Sequence, residues 1–224
     1  MQLDATNLLC KKIFSSHKHG TKLPNENLLA KKYGVSRSSL REALKILKSK
    51  GIIKSKQKSG TIIDKFENMN FFDKDILLWT QGTSYSNNFR KHFLQIRMMF
   101  EPEITYLCAK NIDQKNMYEL ENIYNQLEKS VENKDDKKII LNDLTFHQKI
   151  ITNCGNPILF PLSEFINHVL NLNFTANQKE QKNYYKGWQK IYLKQHEDLK
   201  NFIIKKQPLK AKNKMISIIS KNKN

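Results

Sequence analysis

The chain is short of the residues that would place it in several large classes. Its 224 residues hold only three cysteines, Cys10, Cys108 and Cys154, far apart and without a CxxC pair. That spacing argues against a disulfide framework or a thiolate zinc site and fits a reducing compartment, so a cytoplasmic location is expected. No stretch approaches 18 consecutive apolar residues, so neither a membrane span nor a membrane partner is expected. The opening MQLDATNLLCKKIF has no long apolar run before a small-residue cleavage site, so no signal peptide is expected. Glycine is sparse too, and four of the seven lie in the first 60 residues, each at a predicted element end. Acidic residues are the remaining scarcity. Asp and Glu total 21 against 39 Lys and Arg, a net charge of +18 that favours a polyanionic partner.

What is present is apolar bulk and unevenly placed charge. Twelve Phe and eight Tyr supply large apolar bodies, enough for real cores rather than a disordered chain. The length suits one large domain or two modest ones. Residues 1–65 carry 13 Lys and 2 Arg against Asp4, Glu26, Glu42 and Asp64; the rest carry 24 basic against 17 acidic residues. A general lysine bias explains the background but not this gradient.

The basic end has a readable order. Leu3, Leu8, Leu9, Ile13 and Phe14 fall near one face of a helix over 3–16. Pro24 and Asn25 open a short second helix, with Asn25 as N-cap, Leu28, Leu29 and Tyr33 facing inward and Gly34 as its end. Ser36 caps a third helix over about Arg37 to Ser49, whose Leu40, Ala43, Leu44 and Leu47 form one buried stripe. Arg37, Ser38, Arg41, Lys45 and Lys48 then turn outward. After Gly51, residues 52–54 and 61–63 read as two short strands. Two helices joined by a tight turn, the second basic on its exposed face, suit insertion into the DNA major groove. Arg37 and Arg41, one turn apart, each carry the fork that matches guanine O6 and N7. Ser36 and Ser38 are placed for phosphate or base edges, the lysines for phosphates, and Gly60 lets the wing approach closely. The alternative is a small helical lobe whose lysines are a solvated face.

From Asp64 to about Ser86 the periodicity is weak, with one short helix around Asp75 to Thr80 and a break at Gly82-Thr83-Ser84. Beyond it, candidate helices run over 87–110, 114–132, 135–153, 157–174, 184–205 and 208–221, with Pro102 expected to kink the first or mark a boundary. The expected fold is mainly α: a winged helix-turn-helix over 1–65, a linker over 66–86, and an all-helical bundle of about six helices over 87–224. Within that bundle Asp143 and His147 share a helix face and His196 lies on another helix. If they meet, they make a divalent-metal site; otherwise they are ordinary polar residues. A metal-dependent enzyme is one further reading, since such a set activates water. No nucleophile elbow, phosphate loop or HExxH accompanies it, so no catalytic residue is assigned and enzyme activity is not expected. A general nucleic-acid-binding protein is another, but it leaves the whole bundle idle.

The pattern LP-x-E-x-x-LA-x-x-x-GVSRSSLREAL-x-x-L-x-x-x-GII-x-x-x-x-x-SGT-I, from Leu23 to Ile63, resembles the winged helix-turn-helix of GntR-family bacterial transcription regulators. The resemblance implies operator contacts from Ser36, Arg37, Ser38 and Arg41, and a wing glycine at Gly60. Asn27 stands where relatives usually have arginine. Residues 87–219, with IRMMFEP, D-x-x-FH-x-x-I then N-P, and H-E-x-L then A-x-x-x-M, resemble the FCD sensor of the FadR subfamily. That implies a homodimer and a small carboxylate effector, bound through a divalent metal ion, zinc or similar, on Asp143, His147 and His196. The third histidine of that pattern falls at Ile218, which has no donor atom. Arg97 matches a position that could face the effector carboxylate, the alternative being a helix-surface ion pair.

Overall fold

Local caps set the first helices. The Asp4 carboxylate accepts from the Asn7 N–H at 2.7 Å and starts α1 (Ala5–Ser16). Asn25 accepts from Leu28 N at 3.0 Å to start α2 (Glu26–Tyr33), and Gly34, left-handed at φ +65°, closes it. Ser36 accepts from Ser39 N at 3.1 Å and starts α3 (Arg37–Ser49). These assignments come from a computed structural model, which describes residues 4–56, 60–80, 84–168, 170 and 188–221. The chain divides into two compact units, Met1–Asn88 and Phe89–Asn224.

In the first unit, α1 and α2 pack on α3 around buried Leu9, Cys10, Ile13, Phe14, Leu29, Leu40, Ala43 and Leu47. Leu8 and Leu28, expected on the inner faces of their helices, are exposed instead; Cys10 and Ala30 fill those faces. Strands β1 (Ile53–Lys56) and β2 (Gly60–Ile63) pair antiparallel with Ile53 opposite Ile63. The segment 20–23 adds itself to the free edge of β2, through Leu23 N to Thr61 O at 2.8 Å and Ile63 N to Thr21 O at 3.0 Å. Gly51 makes the turn into β1 at φ +71°, where a Cβ would meet the Asn68 carbonyl oxygen at 2.7 Å.

The expected linker is not a bare tether over its first fifteen residues. Met69, Ile76 and Trp79 are buried in the same core as α1 and α3, and α4 (Lys74–Thr80) packs on α1. Asp64 ties the segment down, accepting from Lys65 N at 2.8 Å and from Asn68 Nδ2 at 3.0 Å. Lys50, at the end of α3, reaches Asp73 Oδ2 at 2.8 Å and Asp75 Oδ2 at 2.9 Å, while Asp73 caps α4 through Asp75 N. Weak periodicity hid this because one short helix contributes few apolar positions. Lys50→Ala is expected to cost about 1–2 kcal/mol, a charged hydrogen-bond cluster reduced by partial solvent screening; chemical denaturation of the two proteins measures it. The break expected at 82–84 falls largely outside the described residues.

The second unit is helical: α5 (Ser84–Asn111), α6 (Gln114–Glu132), α7 (Asp136–Thr152), α8 (residues 161–168), α9 (Trp188–Ile204) and α10 (Pro208–Lys221). Asp113 and Asp135 cap α6 and α7. Pro102 marks no boundary, since α5 runs on through it. Within α5, Phe93 and Ile104 are buried as expected, whereas Phe100 lies at the surface. The helix expected over 157–174 begins as a single 3-10 turn at Pro157–Leu159 and continues as α8; its far end lies outside the described residues. Helix α6 packs on α7 and α9, and α9 on α10. No helix among the described residues is long and apolar enough to cross a membrane.

Candidate nucleic-acid interface and metal centre

Burying Leu40, Ala43 and Leu47 turns the opposite face of α3 outward, so Arg37, Ser38, Arg41, Glu42, Lys45 and Lys48 are all exposed. Arg41 Nε donates to Glu26 Oε2 at 2.8 Å, an exposed ion pair from α3 to α2. The bond uses Nε, so the two terminal nitrogens that a guanine edge would accept from are not taken by it. At the start of α3 the Ser36 oxygen is committed to the cap, with the Ser38 and Ser39 hydroxyls each 2.8 Å away. Gly60 opens β2 at φ +85°, a conformation other residues rarely adopt, and a Cβ there would run into the Lys22 side chain at 2.7 Å. Asn27 is exposed beside Glu26. Charge and shape thus agree on one basic face.

The second unit brings Asp143 and His147 of α7 together with His196 of α9, all buried, with one ligand atom of each within 4.8 Å of the others. His196 Nδ1 lies 2.9 Å from the Tyr192 carbonyl oxygen. A carbonyl only accepts, so Nδ1 holds a proton, and in the neutral form of the ring Nε2 would carry the lone pair. That Nε2 is 3.0 Å from Asp143 Oδ1 but is not aligned to donate to it, and it has no hydrogen-bond partner. His147 turns Nδ1 toward Glu101 Oε2 at 3.4 Å, which leaves its own Nε2 as a donor to a metal. Two imidazole nitrogens and a carboxylate oxygen, each oriented from behind, fit a zinc-like divalent cation. Ile218 is buried in α10 and supplies no donor.

Arg97 is not on a helix surface. It is fully buried and forks onto Glu101, one turn along α5, with Nε to Oε1 and Nη2 to Oε2 at 3.1 Å. Its Nη1 has no partner among the described residues. Burial opposes charge on Glu101, but the Arg97 guanidinium and His147 outweigh it and bring the carboxyl down to about 2. Burial likewise opposes charge on Asp143, and contact with His196, the nearby His147 and the Tyr192 phenol bring it to about 2 as well. Tyr192 donates its phenol to Asp143 Oδ1, and burial followed by the Asp143 charge pushes that phenol well above its usual range. Glu26, Glu101 and Tyr192 were not singled out from the sequence. The four-residue spacings Arg97–Glu101 and Tyr192–His196 were the available signals.

Comparison with known proteins agrees with this geometry. Residues 6–63 match bacterial regulatory proteins of the gntR family, and residues 92–221 match the FCD domain. The uncharacterized HTH-type transcriptional regulator YieP of Escherichia coli is 29% identical over 157 residues, covering 70% of this chain and 68% of that protein. The galactonate operon transcriptional repressor of Escherichia coli is 25% identical over 144 residues, covering 64% and 62%. The transcriptional repressor NanR of Citrobacter rodentium is 30% identical over 149 residues, covering 62% of this chain and 52% of that protein. Among solved structures, Streptococcus agalactiae GntR aligns over 96% of this chain and 95% of its own at 25% identity, with a TM-score of 0.54. The Listeria monocytogenes regulator Lar shares the fold at a TM-score of 0.65 and 17% identity, over 99% of this chain and 95% of its own. The chain belongs to the gntR family of bacterial regulatory proteins and carries an FCD domain behind its DNA-reading unit, the architecture of a transcription regulator.

Proposed function

We propose that the protein is a cytoplasmic, homodimeric repressor that releases its operator when a small carboxylate metabolite enters the second unit. The observation that carries this reading is the buried Arg97–Glu101–His147 and His196–Asp143–Tyr192 cluster inside the helical bundle. Charged groups are this deeply buried only where partners or ligands compensate them. Asp143, His147 and His196 hold a divalent metal, which when bound supplies a Lewis-acidic positive charge for carboxylate oxygens. Three protein donors leave positions for those oxygens, and Arg97 Nη1 is a further buried donor for an anion.

On the DNA side, Arg37 and Arg41 read base edges, Ser38 and the α3 lysines contact phosphates, and Gly60 lets the wing lie close to the duplex. Ser36 contributes chiefly by capping the helix that presents them. Two copies place their recognition helices in half-sites about one turn apart. The effector shifts the population between two arrangements of the paired readers, by no more than its differential affinity for them.

Fluorescence anisotropy with a palindromic duplex, selected from random sequence, tests the whole reading. Affinity should fall steeply with salt. A carboxylate effector should weaken binding about 5- to 150-fold, the usual range of such coupling. A chelator should remove that response while leaving the unliganded affinity unchanged. Chelator-sensitive turnover of the carboxylate would instead make the protein an enzyme, and effector-insensitive binding to all duplexes would make it a general nucleic-acid binder.

A further inference from the structure

Tyr192 stands one helical turn before His196 on α9, so the two side chains share a face. Its ring packs with Leu127 and Val131 of α6 and Ile139 of α7. It also lies tilted against the His196 ring, with centroids 4.3 Å apart. A phenylalanine would fill that apolar seat equally well. The hydroxyl therefore calls for a separate reason, because burying a phenol in an apolar cluster costs stability unless it finds a partner. Its partner is Asp143 Oδ1, the same oxygen that sits 3.0 Å from His196 Nε2.

Tyr192 thus grips both halves of the donor pair. Its backbone carbonyl takes the Nδ1 proton of His196 and turns Nε2 toward the cluster, and its phenol holds Asp143 Oδ1 beside that nitrogen. Nε2 and Oδ1 lie 3.0 Å apart with no hydrogen bond aligned between them, so both stay open toward a cation. The phenol proton offsets part of the charge on Oδ1 and opposes its drift away. A fourth protein donor would share the task of holding the cation; the set found among the described residues has three, so their preset geometry matters more.

We propose that Tyr192 is a positioning residue for the Asp143–His147–His196 set, fastening Asp143 where the chain lacks a donor at position 218. The inference rests on the metal-binding reading above and adds to it a residue that touches no metal itself. Competition with a chromophoric chelator measures Co2+ affinity in the full-length protein. Tyr192→Phe should weaken it about 10- to 100-fold, the usual effect of removing a partner of a metal ligand. Tyr192→Phe combined with Ile218→His should regain affinity over Tyr192→Phe alone, since a new donor substitutes for the lost grip. Val131→Ala, on α6 rather than on the helix that carries Asp143, loosens the same apolar seat and should lower the melting temperature and leave Co2+ affinity unchanged. Equal or tighter Co2+ binding by Tyr192→Phe overturns the positioning role while the metal reading stands. An equal affinity loss in Val131→Ala also overturns it, because packing alone would then explain the effect. Failure of the wild-type protein to bind Co2+ overturns both readings.

Discussion

Glu101→Ala is expected to destabilise the protein by about 3–5 kcal/mol, the cost of leaving one member of a buried ion pair uncompensated. The Arg97 guanidinium is fully buried and cannot lose its proton, so without Glu101 it must recruit water or shift its helix. The loss is larger than that of an exposed pair such as Lys194–Glu197, where water screens both charges. The bond geometry is also forked, with both carboxylate oxygens engaged by Arg97 and one of them facing His147. Urea denaturation of wild type, Glu101→Ala and Arg97→Met/Glu101→Leu measures this. The double variant should recover much of the loss, because replacing a whole buried pair by apolar residues is close to neutral. A loss below about 1 kcal/mol in Glu101→Ala would mean that water reaches the pair. Arg97→Met/Glu101→Leu should at the same time lose the carboxylate response, since its anion donor and the partner of His147 are both gone.

Arg41→Ala is expected to lower operator affinity and to relax preference at one base pair by about 5- to 150-fold, the discrimination carried by one bidentate arginine–guanine contact. The fold should be untouched, because Arg41 is exposed and its ion pair to Glu26 is a surface one. Titrations at matched salt against the selected duplex and against single-base variants separate the two contributions. A base-reading role appears as a flattened preference at one position with most of the salt slope retained. A phosphate role appears as a uniform loss on all duplexes with a smaller slope. Unchanged binding to every duplex would remove Arg41 from the interface altogether.

How much was legible depended on how local the physics was. Helices α2 and α3 lie where Asn25, Gly34 and Ser36 place them, because a cap is a bond between neighbours three residues apart. The basic face of α3 was legible for the same reason: burying Leu40, Ala43 and Leu47 leaves its arginines no other direction. Leu28 shows the limit, since a helix eight residues long has several apolar positions and the partner surface chooses among them. The segment after Asp64 shows it again. Nothing in its short run of apolar residues announces that Trp79 will lie in the core of α1 and α3.

The sequence alone determined the order of elements, the basic reading helix, and which residue types the bundle offers for metal chemistry. Those follow from periodicity, capping and charge, all carried by residues close together in the chain. Only the tertiary structure decided that Asp143, His147 and His196 meet, that Arg97 is buried against Glu101 rather than lying on a surface, and that a phenol 49 residues away holds Asp143. These pairings depend on which helix faces pack together, and that choice is made by the sum of many apolar contacts rather than by any residue's immediate neighbours.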